Sequence, residues 1–193
     1  MPPKPKYTRE EIVAAALRVV SQSGVASLTA KELGHELNTS TTPIFTVFRS
    51  MQEVQDAVKL AAMERFASYA HKAGADMPIF KQVGMQMILF AREEPNLYQL
   101  IFMSSNSDVY SFDDIYDHLG IVAQECLLAI QKDYGLSLPD AKVLFEHAWI
   151  HTYGIATLCA TGMCSFPQEK LSSMLTQDFT AMMALLKGES RAQ

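Results

Sequence analysis

The stretch Thr29–Phe48, TAKELGHELNTSTTPIFTVF, decides the fold of the chain. At its start, Thr29 precedes Glu32 by three residues, a capping box that predicts the first turn of a helix. Leu33 and Leu37 follow with the four-residue spacing of a buried helical face. This part of the sequence therefore predicts a short amphipathic helix.

A polar turn and a second short helix come next. Asn38-Thr39-Ser40 has the composition of a tight turn, and Ser40 can cap a helix at about 41–47 whose inward residues are Ile44 and Phe48. A helix of this length needs tertiary support. Because its apolar side is narrow, we expect the opposite side to be exposed to solvent. Helix, polar turn and short helix in this order predict a helix-turn-helix.

Two more capping boxes flank this stretch. Thr8–Glu11 begins a helix that is predicted to end at Gly24, and Ser50–Glu53 begins a longer helix that is predicted to run to about Lys72. Together these signals predict a compact three-helix head followed by a long connecting helix.

The front of the predicted recognition helix, Thr39-Ser40-Thr41-Thr42-Pro43, is rich in small hydroxyl side chains. Threonine methyl groups can pack on thymine methyl groups, and the hydroxyls can bond to bases or phosphates. Because Arg, Asn and Gln are scarce on this face, we expect modest base readout. Much of the affinity for DNA should then come from phosphates and DNA shape.

From Thr8 to about Val58 the sequence resembles the DNA-binding domain of the tetracycline-repressor family. The resemblance is carried by Ile12-x2-Ala15-Ala16, Gly24-x3-Leu28-Thr29-x2-Glu32-Leu33 and Leu37-Asn38-Thr39-Ser40-x3-Ile44-Phe45-x2-Phe48-x-Ser50. It implies an all-α transcription regulator, not an enzyme and without a cofactor. Such a repressor binds a palindromic double-stranded DNA operator as a homodimer and leaves it when a small apolar or amphipathic effector binds.

By position, the resemblance implies that Thr29 meets a phosphate through its hydroxyl and amide, that residues 41–43 face the major groove, and that Phe45 and Thr46 meet the flanking backbone. The residues expected to contact DNA are Thr29, Lys31, Thr39, Ser40, Thr41, Thr42, Pro43, Phe45, Thr46 and Arg49. A basic leader formed by Lys4, Lys6 and Arg9 can equally reach DNA or serve only as a solubilising tail.

Two residues depart from the family pattern. Phe45 stands where the family usually has a tyrosine, which removes a phenolic hydrogen bond to phosphate. Met51 stands where a phosphate-binding lysine is usual, which removes a charged contact, although Arg49 lies two residues away and can compensate. These departures also support an alternative, an interaction protein whose DNA-binding head no longer functions.

The rest of the chain is predicted to be a second helical domain. We expect a DNA-binding domain at 1–50, a connecting helix at 51–74 and an effector-binding and dimerisation domain at 75–193. Helices are predicted at about 78–93, 96–103, 111–133, 138–161 and 166–186, with Ser137 and Ser165 as candidate caps.

Methionine and aromatic residues are frequent in this second domain. Such side chains suit an adaptable apolar pocket, although at helical spacing they also form ordinary core. The residues expected to contact the effector are Met85, Phe90, Phe102, Met103, His147, Trp149, His151 and Tyr153. The run 149–158 also resembles the Trp-His-Gly type of C-terminal domain found in one branch of the family.

We expect the last two long helices to form the dimer interface, as in the family. The final helix supports this expectation, because its apolar face is more than a monomer would comfortably expose. That face consists of Leu171, Met174, Leu175, Phe179, Met182, Met183 and Leu186.

Charge and cysteine content fit an intracellular regulator. The net charge of the chain is −5, but residues 1–60 carry seven Lys and Arg against six acids, whereas residues 61–193 carry nine against fifteen. The chain has no signal-like apolar segment and three cysteines, so we expect a cytoplasmic protein without disulfides. The cysteines are expected to be small buried hydrophobic residues, with Cys159-x4-Cys164 as an alternative redox pair.

An enzyme is the main alternative of another class. The carboxylate or metal-like clusters are Glu93-Glu94, Asp113-Asp114 and Asp117-His118. Asp114-x2-Asp117-His118 on one helix can form part of a metal site, but solvated acidic faces explain all of these clusters. No nucleophile elbow, phosphate-binding glycine loop or zinc-ligand pattern occurs in the sequence. The sequence therefore predicts a regulator without a metal.

Overall fold

A computed structural model describes residues 6–73, 77–104 and 111–188 of the chain. Within these ranges the chain forms α-helices and no strands. The helices are α1 (Arg9–Ser23), α2 (Ala30–Glu36), α3 (Thr42–Phe45), α4 (Met51–Ala67), α5 (Ile79–Glu93), α6 (Pro95–Tyr98), α7 (Phe112–Leu119), α8 (Ile121–Tyr134), α9 (Leu138–Ala160) and α10 (Gln168–Leu186). The all-α prediction is confirmed, and none of the described helices is both long and apolar enough to cross a lipid bilayer.

The described chain divides into two compact units. The first contains the chain up to Ser68 together with Glu93–Ser104, and the second contains Tyr69–Arg92 and the chain from Ser105 onward. By their contacts, α4 and α6 therefore belong to the same unit as the helix-turn-helix. The functional division at residues 50 and 74 stays a prediction.

Local signals explain where the helices of the first unit begin. Thr8 caps α1 in a complete capping box with Glu11, and Thr29 and Ser50 cap α2 and α4 through their hydroxyls. The boxes predicted at Thr29 and Ser50 are incomplete, because the Thr29 amide donates to the Ser27 carbonyl (2.9 Å) and the Glu53 carboxylate accepts from the Arg49 amide and the Arg9 guanidinium.

The core of the first unit lies where α1 packs on α2, α4 and α6. Ile44 and Phe48 are buried there, as predicted, while α3 itself is shorter than predicted. Leu97 and Tyr98 of α6 are fully buried in the same unit. Helix α6 therefore completes the core around the helix-turn-helix.

A buried carboxylate also joins α1, α4 and α6. Glu94, at the N-terminal end of α6, accepts hydrogen bonds from the Ser21 hydroxyl (2.9 Å) and the Arg65 guanidinium. The Asn96 amide donates to the Ser21 carbonyl (2.8 Å). Because Glu94 is almost fully buried, these bonds satisfy a group that would otherwise be costly.

The predicted helix boundaries fail at four places. The helix expected at 111–133 breaks at Gly120, whose φ of 54° favours glycine. The helix at 96–103 ends in a π-helical turn over Gln99–Met103, and α4 ends at Ala67 in a 3-10 turn, Ser68–Ala73. Pro167 rather than Ser165 precedes α10.

The second unit has its own apolar core. It forms around residues of α8, α9 and α10, with Phe80 of α5 stacked on Phe179 of α10 at a centroid distance of 4.6 Å. Leu171, Leu175 and Met183 are buried, and Phe179, Met182 and Leu186 pack against this core. The expectation that this face of α10 is exposed is therefore wrong, because the unit covers it with its own side chains.

Candidate nucleic-acid interface and ligand cavity

The turn between α2 and α3 is packed closely against α2. The Thr39 amide donates to the Gly34 carbonyl (2.9 Å), and Asn38 has a left-handed φ of 50°. A Cβ atom at Gly34 would lie 3.0 Å from the Thr39 carbonyl oxygen, closer than side chains normally approach. Glycine at position 34 thus allows the turn that leads into α3 to pack directly against α2.

Helix α3 displays the predicted hydroxyl face. Ile44 is buried and anchors the helix, whereas Ser40, Thr41 and Thr42 are exposed. Thr39 and Pro43 are half-buried. The residues on this surface supply small hydroxyls and no charge of their own, which suits close approach to base edges.

Phe45 and Thr46 follow on the same surface. The Phe45 side chain is 46 % exposed, which is high for a phenylalanine and leaves its ring available for packing. The Thr46 hydroxyl donates to the Pro43 carbonyl (2.7 Å), so its proton is already used. A contact between Thr46 and a phosphate requires this hydroxyl to rotate.

The N-terminal arm reaches the recognition turn. The Tyr7 hydroxyl donates to the Leu37 carbonyl (2.6 Å), and the Lys6 ammonium donates to the Thr39 hydroxyl (3.2 Å). Lys6 therefore places a cation beside α3. From the sequence, Lys6 was identified only as one member of a basic leader. No neighbouring residue indicated that the Tyr7 hydroxyl would bond to Leu37 and so anchor the arm.

Arg9 has a different role. Its guanidinium pairs with Glu53 (2.8 Å) and lies over the Phe48 ring, 4.3 Å from the centroid. Hydrogen bonds from the Arg49 amide and from Arg9 lower the pKa of Glu53, which keeps this carboxylate charged. Arg9 thus ties α1 to α4 rather than extending the leader, and Lys4 lies outside the described residues.

Three residues around the turn can meet phosphates. Thr29 uses its oxygen to accept from the Glu32 amide (3.1 Å) and its own amide to donate to Ser27 (2.9 Å), so its hydroxyl proton remains available. Lys31 and Arg49 are exposed cations. Met51, the first residue of α4, is half-buried and supplies no charge there.

The second unit contains a small cavity of about 30 Å³, room for about one water molecule. Its lining comes from α5, α8 and α9 and consists of Phe80, Val83, Gly84, Met87, Cys126, Phe145, Ala148, Trp149 and Thr152. The Thr152 hydroxyl is the polar group nearest to Gly84, where a Cβ atom would lie 3.2 Å from it. Burial raises the pKa of Cys126 to about 12, so this thiol lines the cavity in its neutral form.

The predicted effector contacts do not gather around this cavity. Trp149 lines it, in a stacked arrangement with Phe145 at 6.0 Å. Phe102 and Met103 belong to the first unit, where the Phe102 ring packs on Phe66 and Tyr98.

The other predicted contacts lie elsewhere in the second unit. Met85 and Phe90 are fully buried in its core. His147 is exposed on α9, Tyr153 is half-buried, and His151 faces Asp178 of α10 at 3.8 Å. Periodicity could not separate core from lining, because both consist of the same residue types.

One face of the α9–α10 pair is exposed and partly apolar. Val143, Ile150 and Gly154 follow one another on α9 at a spacing that keeps them on one face, and Ala181 and Leu185 do the same on α10. Ile150 is 58 % exposed and Leu185 61 %. These residues, rather than those of the predicted face of α10, are apolar positions that the two helices expose to solvent.

The acidic clusters have local roles in the described part of the chain. Asp114 accepts from the Ser111 amide (2.7 Å) and completes the cap of α7. Glu94 belongs to the network with Ser21 and Arg65. The side chain of His118 lies outside the description.

One comparison with known proteins identifies a family, and another finds a similar fold. A family model for the tetracyclin repressor-like C-terminal domain matches residues 80–182. The crystal structure of BioQ with its natural double-stranded DNA operator is similar in fold, with a TM-score of 0.54 at 15 % identity over 93 % of this chain and 99 % of that one. No curated protein matches the sequence. The Trp-His-Gly subtype stays a prediction, since the description of the matching domain names none.

The family model covers more than half of the 193 residues, and the fold combines a helix-turn-helix with a helical C-terminal unit. The chain therefore belongs to the tetracycline-repressor family of DNA-binding transcription regulators, which are not enzymes.

Proposed function

We propose that this chain is a homodimeric repressor that binds a palindromic operator and releases it when a small apolar or amphipathic effector binds. The observation that carries the proposal is the exposed hydroxyl face of α3, fixed against α2 by the close approach at Gly34. BioQ, which has a similar fold, is described with its double-stranded DNA operator.

On DNA, residues 41–43 face the major groove and read bases through methyl groups and hydroxyls. Phosphates are met by the hydroxyl of Thr29 and by the cations of Lys6, Lys31 and Arg49, while Phe45 packs on the sugar-phosphate wall. Because these charges are few, affinity should fall with salt but less steeply than for a densely basic protein.

The first test is a search for an operator in genomic DNA, followed by a salt titration of the site found. Lys31→Gln should make the plot of log affinity against log salt shallower by about 0.9 for each copy of the chain bound. Lys170→Gln in the second unit is the matched control and should leave the slope unchanged. Absence of any preferred site at low salt would contradict the proposal.

The effector site is proposed at the cavity beside Trp149. An apolar body fits its wall of Phe80, Met87 and Phe145, and Thr152 offers one hydroxyl to orient a polar end. A drug-sized ligand needs several hundred Å³, so its entry requires the walls to move apart. That requirement is the reason why a ligand can favour another arrangement of the helices.

The effector proposal is tested by screening hydrophobic compounds against the emission of Trp149. Operator DNA should weaken the affinity of a true effector by the same factor by which the effector weakens the affinity for DNA, typically about 5- to 150-fold. Gly84→Ala should weaken binding of the compound by narrowing the cavity, whereas Gln124→Ala, at an exposed position of α8, should not. Hits that bind equally with and without operator would contradict the mechanism.

Dimerisation is proposed through the exposed face of α9 and α10. A second copy can cover Ile150 and Leu185, and the small residues Gly154 and Ala181 allow close helix packing. Ile150→Glu should give a folded monomer in sedimentation, because a carboxylate cannot be buried there unpaired. Leu128→Glu, equally exposed on α8, should remain dimeric. A monomeric wild-type chain at micromolar concentration would overturn this part.

A further inference from the structure

Two of the three cysteines lie together at the end of α9. Cys159 is in the last turn of that helix, and Cys164 is on the connection to α10. Both are reduced and half-exposed, whereas Cys126 is buried. The expectation of buried cysteines is therefore correct for Cys126 alone.

Backbone hydrogen bonds fold the connection back onto the helix. The Gly162 amide donates to the Cys159 carbonyl (3.1 Å), and Gly162 has a left-handed φ of 71°, which reverses the chain. The Cys164 amide then donates to the carbonyl of Leu158 (3.2 Å), the residue just before Cys159.

This bond limits the distance between the two cysteines. With standard peptide dimensions, the Cα atoms of Cys159 and Cys164 lie no more than about 7.5 Å apart, and the bend at the hydrogen bond makes the separation shorter. Disulfides span Cα separations of roughly 4.4–6.8 Å. The turn thus brings the two residues to about the upper end of the separation that a disulfide spans, or closer.

The side chains share one electrostatic environment. Burial raises the pKa of the Cys159 thiol, the Arg92 guanidinium opposes this effect, and the charge of Cys164 adds to the rise. The net effect is a raised pKa, which Arg92 limits, so the Cys159 thiol reacts through a minor thiolate fraction.

We propose that Cys159 and Cys164 are a dithiol site that a hydroperoxide converts reversibly to an intrachain disulfide. One thiolate attacks a peroxide oxygen, which forms a sulfenic acid and releases the other oxygen as water or an alcohol. The second thiol attacks the sulfenic sulfur, forms the S–S bond and releases water. The two thiols lose two electrons and two protons, and hydrogen peroxide is reduced to two waters. Neither operator nor effector is needed, so the site is independent of the proposed function.

The full chain contains its own control. Cys126 is almost completely buried, so peroxide has little access to its thiol and it should not react under the same conditions. Met163, between the two cysteines and highly exposed, can gain an oxygen, but that changes its mass without changing the number of free thiols.

The experiment treats the full-length protein with a small excess of hydrogen peroxide, stops the reaction with catalase, and alkylates the chain under denaturing conditions. The untreated chain should take up three alkyl groups, one for each cysteine. The oxidised chain should take up only one, at Cys126, and dithiothreitol should restore the other two.

Variants identify the bond. Cys126→Ser should still lose two alkylation sites on oxidation, whereas Cys159→Ser and Cys164→Ser should form no intrachain disulfide. The proposal is overturned if all three thiols remain after treatment. It is equally overturned if the lost thiols appear as disulfide-linked chains on a non-reducing gel, or as over-oxidised acids that dithiothreitol does not restore.

Discussion

Glu94 shows what a single buried carboxylate does in the first unit. It accepts from Ser21 and Arg65 and is itself nearly inaccessible, whereas the ion pair Arg18–Glu36 (2.7 Å) lies at the surface. Glu94→Ala should lower the free energy of unfolding by about 1.5–3 kcal/mol, because bonds to a charged group are lost. Glu36→Ala should cost about 1 kcal/mol at most. Urea denaturation compares them, and equal effects would mean that the Glu94 network does not stabilise the unit.

Met51 is a second position where we expect a single substitution to have an effect, in this case on the affinity for DNA. A lysine there would add a cation at the start of α4, close in sequence to the exposed Arg49. Met51→Lys should tighten DNA binding to all sequences alike, because a phosphate contact reads no base. The control is Leu60→Lys, which adds the same charge at an exposed site farther along α4. Equal gains from both variants would indicate a general charge effect instead of a contact.

Among the helical elements, α2 and the turn that follows it depend most on a close approach between two backbone segments, at Gly34 and Thr39. Gly34→Ala places a methyl group 3.0 Å from the Thr39 carbonyl oxygen, so the turn must shift. We expect a loss of about 1–3 kcal/mol in stability, together with weaker operator binding. Gln22→Ala, at an exposed position of α1 in the same unit, should change the stability by no more than about 0.5 kcal/mol. Thermal denaturation followed by circular dichroism measures both, and a fully stable Gly34→Ala variant would contradict the tight-turn account.

The elements that the sequence predicted well are those with strong local signals. Thr8, Thr29 and Ser50 cap their helices because a hydroxyl and an amide three residues later suffice to define a start. The break at Gly120 was missed, since a single glycine is compatible with a continuing helix.

The candidate cavity was harder to predict than the turn. Trp149 was identified, but Phe80, Gly84 and Thr152 were not, because which apolar residues border a void depends on packing between helices. The dependence on packing between helices also explains why the prediction that the apolar face of α10 is exposed was wrong. Its spacing revealed one apolar side but not whether another chain or its own unit covers it.

At the scale of the whole molecule, the first unit is discontinuous in sequence. Its α6 follows α5 of the second unit, yet Leu97 and Tyr98 are fully buried in the first. A fragment containing residues 1–68 should therefore be markedly less stable than the same region in the full chain, because it lacks these apolar contacts. Circular dichroism and urea titration of the fragment test this. A fragment that melts like the full chain would show that α6 adds nothing to the head.

The polypeptide passes between the two units three times, after Ser68, Arg92 and Ser104. No single cut in the gene separates them, so recombination with a relative at one site would exchange α1–α4, the helices on which α6 packs, while α6 itself stayed with the rest of the old chain. The new α1–α4 would then have to fit the old α6 by chance. They would have to provide the hydrogen bonds that Ser21 makes with Glu94 and Asn96, and the packing around Leu97 and Tyr98. A biosensor built from this regulator should accordingly carry over residues 93–104 whenever its DNA-reading helices are transplanted.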